Sequence, residues 1–413
     1  MQSFENTTLS NGINIINRNN PGTPRVTLIA FVDGGNRNEI KPGISDITSR
    51  LLLKGTKNRT AEQIAIETDA NAIDLDIDVK QDYTRMKITC LNDDLDKAID
   101  IMSDLLQNPT FELFNKETNL LKGELQIELD SPRAKAMDKL IRGMYPDHPY
   151  GVVASTMLEN IANLTQDDAI KHYNNTFSTC NMSMVAVGDI SQQELVKKLE
   201  SKFTSLKSNK QDPKVLQLKE AAKDLLITTE KEDAAQAQII RGWYGPSIVS
   251  EDYVPLMLLN NILGSAGLSS RLFIELRDKK GLAYSVRSTL EMLKYGSNFT
   301  VYIGTEPKNI EIALNGFNEE IEKLVNEPVS DQELEAAKQN ILGKRSVFHE
   351  TNSQQCFYLG MYHILGAGAE YDEKIKDLIL ATSKQDIQAV AQKFLTRHHI
   401  TSILAPSKYL VTV

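Results

Sequence analysis

The sequence predicts an α+β protein made of two homologous α/β-roll domains, each with a mainly antiparallel sheet covered by helices. Two observations lead to this fold class. The chain has 413 residues, more than one hydrophobic core usually serves, and its two halves repeat the same order of helices and strands. A hydrophobic share of 41% and a charged share of 24% are typical of a globular protein.

Three internal matches indicate a tandem duplication. Two of them pair amphipathic helices, one leading into an apolar strand and the other followed by a proline stop and a further helix. The third, which is weaker, pairs two strands that each precede a polar turn and a helix. The matched ranges are 164–189 with 381–406, 95–109 with 310–328, and 26–32 with 237–243.

The domain boundaries follow from these repeats. We expect a first domain at residues 1–208, a linker at 209–222 and a second domain at 223–413. The linker region is polar and Lys-rich and contains Pro213. Residues 9–12 (LSNG) form a hairpin turn signal in the first copy. In each copy, we expect helices on one face of the sheet.

Composition excludes several classes of partner. The formal net charge is −9, with acidic residues spread along the chain, so neither nucleic acid nor an anionic membrane is an expected partner. Residues 1–5 lack the basic start of a signal peptide, and no apolar run approaches ~18 residues. The three cysteines are widely spaced and form no CxxC site. We therefore expect a reducing, cytoplasmic setting.

The most informative stretch covers residues 269–286. Leu272, Phe273 and Leu276 share one face of a predicted helix, and Ser269 or Ser270 can act as its N-cap. After this helix, the sequence predicts a chain reversal and a strand.

The reversal brings two polar side chains close together. Gly281 suits the left-handed position that ends a helix, and residues 282–286 read as the start of a strand. Arg277 lies one turn before the reversal and Tyr284 just after it, so a guanidinium and a phenol can meet at one side of a cleft. On the local pattern alone, a surface Arg and a half-buried Tyr with no function is the better explanation of the pair.

Several stretches together resemble the insulinase/pitrilysin (inverzincin) metallopeptidases, and more closely their short, two-domain bacterial and mitochondrial-processing-peptidase-like members. The resemblance implies two α+β roll domains per chain and a chamber closed by two chains or two halves. The residues that carry it are 9–12 (LSNG), 35–39 (GNRNE), 53–56 (LKGT), 58–60 (NRT), 108–111 (NPTF), 148–151 (HPYG), 269–273 (SSRLF), Arg277 and Tyr284.

The catalytic motif of that family, His-x-x-Glu-His on a helix, is replaced in this chain. Two His at i and i+4 share a helix face and can bind one Zn²⁺, with the Glu as general base. The corresponding positions here are Asp46, Ser49 and Arg50. The first of six histidines is His148, so no alignment register restores a two-His site upstream of it. We expect no metal in this chain, and zinc in a partner subunit.

The resemblance places the third metal-ligand position at Glu124. We predict that Asp46 and Arg50, at i and i+4, form an ion pair, and that Glu124 also reaches Arg50. Residues 72–79 alternate like an edge strand with three aspartates on one face. Active relatives add substrate as a strand near this edge, and the charges disfavour such docking here.

The Arg277 and Tyr284 pair is intact. In the family it faces the zinc of the opposing half, holds the peptide backbone and stabilises the oxyanion. The preceding loop carries the candidate substrate-binding residues Gly264, Gly267, Ser269 and Ser270.

These observations favour a pseudoenzyme subunit of a heterodimeric zinc metallopeptidase. It would close over a homologous subunit that carries His-x-x-Glu-His and take part in proteolysis of a peptide substrate. The alternative is a catalytically inactive scaffold, as in the core subunits of respiratory complexes, or a peptide-binding protein. A pure scaffold has no need for Arg277 and Tyr284.

Overall fold

The computed structural model describes residues 3–208, 216–218 and 222–410. Most of the predicted linker at 209–222 lies outside these described residues. Within the described ranges, no helix is both long enough and apolar enough to cross a membrane.

The strands form two separate sheets. The strands are β1 Glu5–Thr8, β2 Asn14–Asn19, β3 Arg25–Asp33, β4 Asp74–Val79, β5 Tyr83–Leu91, β6 Met182–Gly188, β7 Leu225–Glu230, β8 Ala237–Gly245, β9 Ala283–Leu293, β10 Gly296–Thr305 and β11 Ile400–Ala405.

Helices alternate with these strands along the chain. The α-helices are α1 Ile44–Leu52, α2 Ala61–Ala70, α3 Leu95–Gln107, α4 Phe114–Asp130, α5 Pro132–Met144, α6 Ala154–Asn160, α7 Gln166–Thr176, α8 Gln192–Lys202, α9 Tyr253–Asn260, α10 Ile310–Asn326, α11 Asp331–Phe348, α12 Asn352–Ile364, α13 Tyr371–Ala381 and α14 Lys384–Val390. Within the described ranges, three segments are π-helical: Asn261–Ser265, Phe273–Lys279 and Ala391–Leu395.

The two sheets share one topology, which confirms the predicted fold class and the tandem duplication. The first sheet has the order β1-β2-β6-β3-β5-β4 and the second β7-β11-β8-β10-β9. In both, one parallel pair (β2 with β6, β7 with β11) is followed by antiparallel pairs. The first sheet has one extra strand, β1, which pairs with β2 across the predicted hairpin turn, where Gly12 has φ +99°.

The two compact units do not coincide with the two halves of the sequence. The first compact unit comprises Met1–Leu125, Thr156–Val215 and Val347–Glu373. The second comprises Gln126–Ser155, Leu216–Ser346 and Lys374–Val413. Each half of the sequence thus gives one segment, containing α5 or α12, to the other unit. The predicted boundaries at 208 and 223 stay a prediction about evolutionary copies rather than about packing.

In the first unit, helices cover both faces of the sheet, which corrects the expectation of one covered face. Alternate residues of β3 belong to the core built with α3 and α8, among them Leu28 and Ala30. The intervening residues Ile29 and Phe31 are also fully buried. Helix α12 packs on β3 and β6, with the Phe357 ring centroid 6.5 Å from that of Phe31.

The second unit repeats this arrangement with α5. Leu140 and Met144 of α5 share a core with Ile240 of β8 and Ile400 of β11. On the other face of this sheet, Trp243 of β8 is buried beside Phe299 of β10. Both sheets are therefore middle layers, because each receives a helix from the other half of the sequence.

The closeness of α12 to its sheet leads to a stability prediction. A Cβ added at Gly360 would overlap the ring of Phe31, so Gly360→Ala should lower the free energy of unfolding by about 1–3 kcal/mol through overpacking. Urea denaturation of the purified chain measures this change.

Gly343→Ala is the matched control, because Gly343 lies inside helix α11 and a Cβ there meets no atom within 4 Å. That substitution should stabilise the protein by about 0.5–1 kcal/mol through helix propensity alone. Equal effects of the two substitutions would contradict the described packing of α12.

Candidate functional site

Arg277 and Tyr284 lie together at the junction of a helix and strand β9, as the sequence predicted. Arg277 Nη1 donates a hydrogen bond to the Tyr284 carbonyl oxygen at 2.9 Å. The Arg277 Cζ lies 5.1 Å from the Tyr284 ring centroid and 4.5 Å from that of Phe273. Gly281 has φ +62°, in the left-handed region expected for a helix end. Tyr284 is 82% exposed, so the pair faces solvent in its unit.

The helix that carries Arg277 is a π-helix over most of its length, whereas the spacing of its apolar residues predicted an α-helix. It starts as an α-turn at Arg271 and continues as a π-helix over Phe273–Lys279. The Lys280 amide bonds to the Glu275 carbonyl, and the Leu282 amide bonds to the Leu276 carbonyl at 2.9 Å. Single π-turns are rare and occur often at functional sites. Apolar spacing cannot distinguish them from α-helix.

The four candidate substrate-binding residues do not form one loop. Gly264 belongs to the π-helical turn Asn261–Ser265 and is buried, and a Cβ there would strike the backbone of Ser288 on β9. The Ser270 hydroxyl is also buried and donates to the Gly267 carbonyl at 2.7 Å, so it does not cap the helix. Gly267 and Ser269 are exposed. Only these two are available to a ligand.

The degenerate motif lies on α1 in the first unit. Gly43, at φ 89°, precedes the helix, and Arg50 lies in its last turn. Arg50 Nη1 donates to Glu124 Oε1 at 3.0 Å, and Nη2 donates to Oε2 in a second bond. This bidentate contact raises the pKa of Arg50 and lowers that of Glu124. Because Glu124 is 57% exposed, the pair contributes no more than about 1 kcal/mol.

The predicted ion pair between Asp46 and Arg50 is wrong. Among the described residues, Arg50 pairs with Glu124, and Asp46 Oδ2 is buried with no hydrogen-bond partner. Ser49 Oγ is likewise buried and unpartnered. Arg50 pairs with Glu124, 74 residues away in sequence, because the Glu124 carboxylate accepts two N–H groups of the Arg50 guanidinium at once.

These side chains do not fit zinc. A guanidinium has no lone pair for a metal, and a hydroxyl and separated carboxylates do not make the nitrogen- or sulfur-rich set that Zn²⁺ prefers. Among the described residues, no group of three or more His, Cys, Asp or Glu side chains is arranged to hold a metal ion.

Glu39, at the start of α1, has a role that the sequence did not predict. Its two carboxylate oxygens accept the amide protons of Gly43 and Ser45, each at 2.9 Å, and so satisfy N–H groups at the helix start that have no acceptor within the helix. Burial and the nearby Asp46 raise the pKa of Glu39 to about 8. Burial raises the pKa of Asp46 to about 6, although Arg50 opposes the shift. The signal was a Glu four residues ahead of the glycine that starts the helix.

Strand β4 is the outer strand of the first sheet, in agreement with the predicted edge. Two of its three aspartates pair with basic residues of the neighbouring strand β5 and of the turn. Asp74 contacts Lys87 at 2.9 Å, Asp78 contacts Arg85, and Lys80 Nζ lies 3.0 Å from Asp78 Oδ2. The prediction that this edge disfavours peptide docking remains untested.

The strand order shared by both sheets, with a motif helix whose metal-binding positions are replaced, defines a two-domain, metallopeptidase-like class of protein. Family models identify it further. Residues 14–152 match the model described as insulinase (peptidase family M16), and residues 163–341 match that of the peptidase M16 inactive domain. The chain belongs to the insulinase family, peptidase family M16.

Individual sequence relatives agree with this assignment, and two solved structures agree with the fold. An uncharacterized zinc protease of Bacillus subtilis, YmxG, is 26% identical over 97% of this chain and 98% of its own length. One from Rickettsia bellii is 25% identical over 98% of both. A protease from Helicobacter pylori matches in structure with a TM-score of 0.91 at 24% identity, over 98% of this chain and 100% of its own. A peptidase M16 inactive domain from Pseudomonas fluorescens has a TM-score of 0.90 at 19% identity, over 98% of both chains.

The raised pKa of Glu39 predicts a pH dependence of stability. A carboxyl that binds its proton more tightly in the folded state than in the unfolded state stabilises the fold at low pH, and this contribution is lost as pH rises from about 4.5 to about 8. Urea denaturation should therefore show a smaller loss of stability between these pH values in Glu39→Gln than in the parent chain. Glu62→Gln, at an exposed position of α2, is the control and should keep the parent slope.

Restoring the His-x-x-Glu-His motif tests whether Asp46, Ser49 and Arg50 occupy the metal-binding positions on α1. The triple variant Asp46→His, Ser49→Glu and Arg50→His puts two imidazoles at i and i+4 opposite the Glu124 carboxylate, which already reaches residue 50. We expect it to bind close to one zinc ion per chain by elemental analysis, and the parent chain to bind essentially none. Stoichiometric zinc in the parent chain would refute the assignment of these positions.

Proposed function

We propose that this chain is the non-zinc-binding subunit of a heterodimeric metallopeptidase of the insulinase family. A homologous subunit with His-x-x-Glu-His would carry the metal, which activates water for attack on a peptide bond. Arg277 and Tyr284 would act in trans, holding the substrate and stabilising the oxyanion. The exposed contact between Arg277 and Tyr284 is the observation that carries the proposal.

The geometry of the pair supports this role. Arg277 uses one N–H for the Tyr284 carbonyl and makes no other hydrogen bond among the described residues. The Tyr284 hydroxyl likewise makes none there. The guanidinium is held between the Phe273 and Tyr284 rings, so its remaining donors are already oriented. Donors that are oriented before the reaction stabilise developing negative charge most effectively.

The first unit supports the division of roles between two subunits. Arg50 and Ser49 occupy positions where the family motif needs a metal ligand and a general base. The ion pair between Arg50 and Glu124 engages the carboxylate that would be the third ligand. We therefore expect the chain alone to hydrolyse no peptide.

The relatives support a link to proteolysis. Several are named zinc proteases, although none of these names states a substrate. The model of the inactive domain covers residues 163–341, the part of the chain that contains Arg277 and Tyr284.

One observation favours the alternative of a scaffold. Arg277 stacks on Phe273 and bonds to the backbone of Tyr284, so it also fastens the π-helix to the start of β9. A scaffold or a peptide-binding protein could retain it for this reason alone. Measuring peptide hydrolysis by the assembled complex distinguishes a catalytic role of Arg277 from a purely structural one.

The test is turnover by the complex of this chain with a His-x-x-Glu-His subunit from the same cell. Arg277→Ala should lower kcat by more than ~10-fold, because one oxyanion donor typically contributes ~10²–10³ in rate. Arg277→Lys should also be poor, since it keeps the charge but loses the fork of donors. Cleavage of a quenched fluorescent peptide library measures both.

Lys279→Ala is the matched control, because Lys279 lies on the same helix and pairs with Glu275 on the surface. It should leave kcat unchanged, and co-purification should show that each variant still assembles. Unchanged kcat in both Arg277→Ala and Tyr284→Phe would leave only the scaffold function. Peptide hydrolysis by the chain alone would contradict the proposed division of roles.

A further inference from the structure

A cavity in the second unit lies between the π-helical turn Asn261–Ser265, the loop after it and helix α11. Its volume is about 230 Å³. Pockets for drug-sized ligands usually measure ~300–1,000 Å³, so this cavity suits a group the size of one amino-acid residue. The residues that give it its chemistry are Asn261, Ser269, Gln332, Glu333, Ala336 and Asn340.

Two asparagines form part of the polar wall of the cavity. Asn261 Nδ2 donates a hydrogen bond to Asn340 Oδ1 at 3.0 Å. This bond leaves Asn261 Oδ1 as an acceptor and Asn340 Nδ2 as a donor, and neither makes a hydrogen bond to another described residue. An acceptor and a donor on two hydrogen-bonded side chains of the lining complement the N–H and C=O of an amide.

The charge in the cavity is balanced. Glu333 is the charged residue of the lining, and its Oε1 accepts Arg271 Nε at 2.7 Å while Oε2 accepts Arg271 Nη2 at 3.1 Å. Burial would raise the pKa of Glu333, but these bonds and those from Ser330 lower it to about 2, so the carboxylate stays ionised. A paired carboxylate admits a neutral ligand and disfavours an anion.

Three alanines and Ile262 form the apolar part of the wall. Ala266, Ala336 and Ala337 line the cavity with methyl groups, which allow a ligand to approach the helix closely. The exposed loop residue Ser269 lies at the same cavity, and the helix that carries Arg277 begins directly after this loop.

We infer that this cavity binds one neutral amide group of a peptide, either a backbone amide or a side-chain carboxamide. Asn261 and Asn340 supply the acceptor and donor, and the three alanines supply the apolar contact. Its part in holding a substrate rests on the proposed function. Binding of an amide is a property of this chain alone, and it can be measured without the partner.

The experiment uses the full chain with ¹³C-labelled alanine methyl groups. N-acetyl-glutamine N-methylamide is added, and the Ala266, Ala336 and Ala337 methyl resonances report occupancy of the cavity. A ligand of this size should bind with a dissociation constant of about 1 mM. The absence of shifts in these resonances at concentrations well above that value would overturn the inference.

Variants locate the binding. Asn340→Asp keeps the acceptor for Asn261 but loses the donor, so the affinity should fall roughly tenfold. Ala336→Leu should abolish binding, because the larger side chain fills the cavity. Gln339→Leu, exposed on the same helix and outside the lining, is the control and should bind as the parent does. Unchanged affinity in Asn340→Asp would contradict recognition by the amide pair.

Comparison ligands define the amide. N-acetyl-alanine N-methylamide contains only backbone amides. If it binds as tightly as the glutamine compound, the cavity recognises a backbone amide, and if its affinity is lost, the cavity recognises a side-chain carboxamide. Both results support the inference. N-acetyl-glutamate N-methylamide should bind more weakly than the glutamine compound, and tighter binding would overturn the inference. Because Arg277→Ala should not alter these titrations, failure of the catalytic proposal and failure of this site are distinguishable.

Discussion

The apolar surfaces of both sheets are closed only because each receives a helix from the other half of the sequence. In the first unit, α12 covers the face of β3 that carries Ile29 and Phe31, each worth ~1.5–3 kcal/mol when buried. The fit is close enough that Gly360 abuts the Phe31 ring, and the Cys356 thiol donates to the Val185 carbonyl at 3.0 Å. In the second unit, α5 plays the same part. The stability of each half of the sequence thus depends on the other half.

A buried polar network fixes the position of Val347–Glu373, the segment that the second half of the sequence gives to the first unit. Arg18 of β2 and His349, just before α12, both contact Asp372, at 3.5 Å and 2.8 Å, and all three side chains are almost fully buried. Removing one member would leave an uncompensated buried polar or charged group, which is costly. Such a network therefore specifies one position for the segment, in addition to the apolar contact.

Much of the candidate site could be predicted because its signals are local. The meeting of Arg277 and Tyr284 follows from a helix, a left-handed glycine and a strand within a few residues. The ion pair of Arg50 shows the limit of this reasoning. The i and i+4 spacing predicted an ion pair between Arg50 and Asp46. In the structure, Arg50 instead pairs with Glu124 of a different helix, whose two carboxylate oxygens accept both of its N–H groups. Likewise, the sequence led us to expect helices on one face of each sheet, because the segment that covers the second face of β3 and β6 comes from the other half of the chain.

The sequence by itself determined the order of the elements, the duplication, the family and the loss of the metal-binding histidines, since these follow from composition and from patterns within short segments. Only the tertiary structure decided which helix covers which sheet, which carboxylate pairs with Arg50, where the helix of Arg277 widens into a π-helix, and that Asn261 and Asn340 meet in a cavity. The physical reason is that these features depend on contacts between residues far apart in the chain, where several partners compete and packing selects among them.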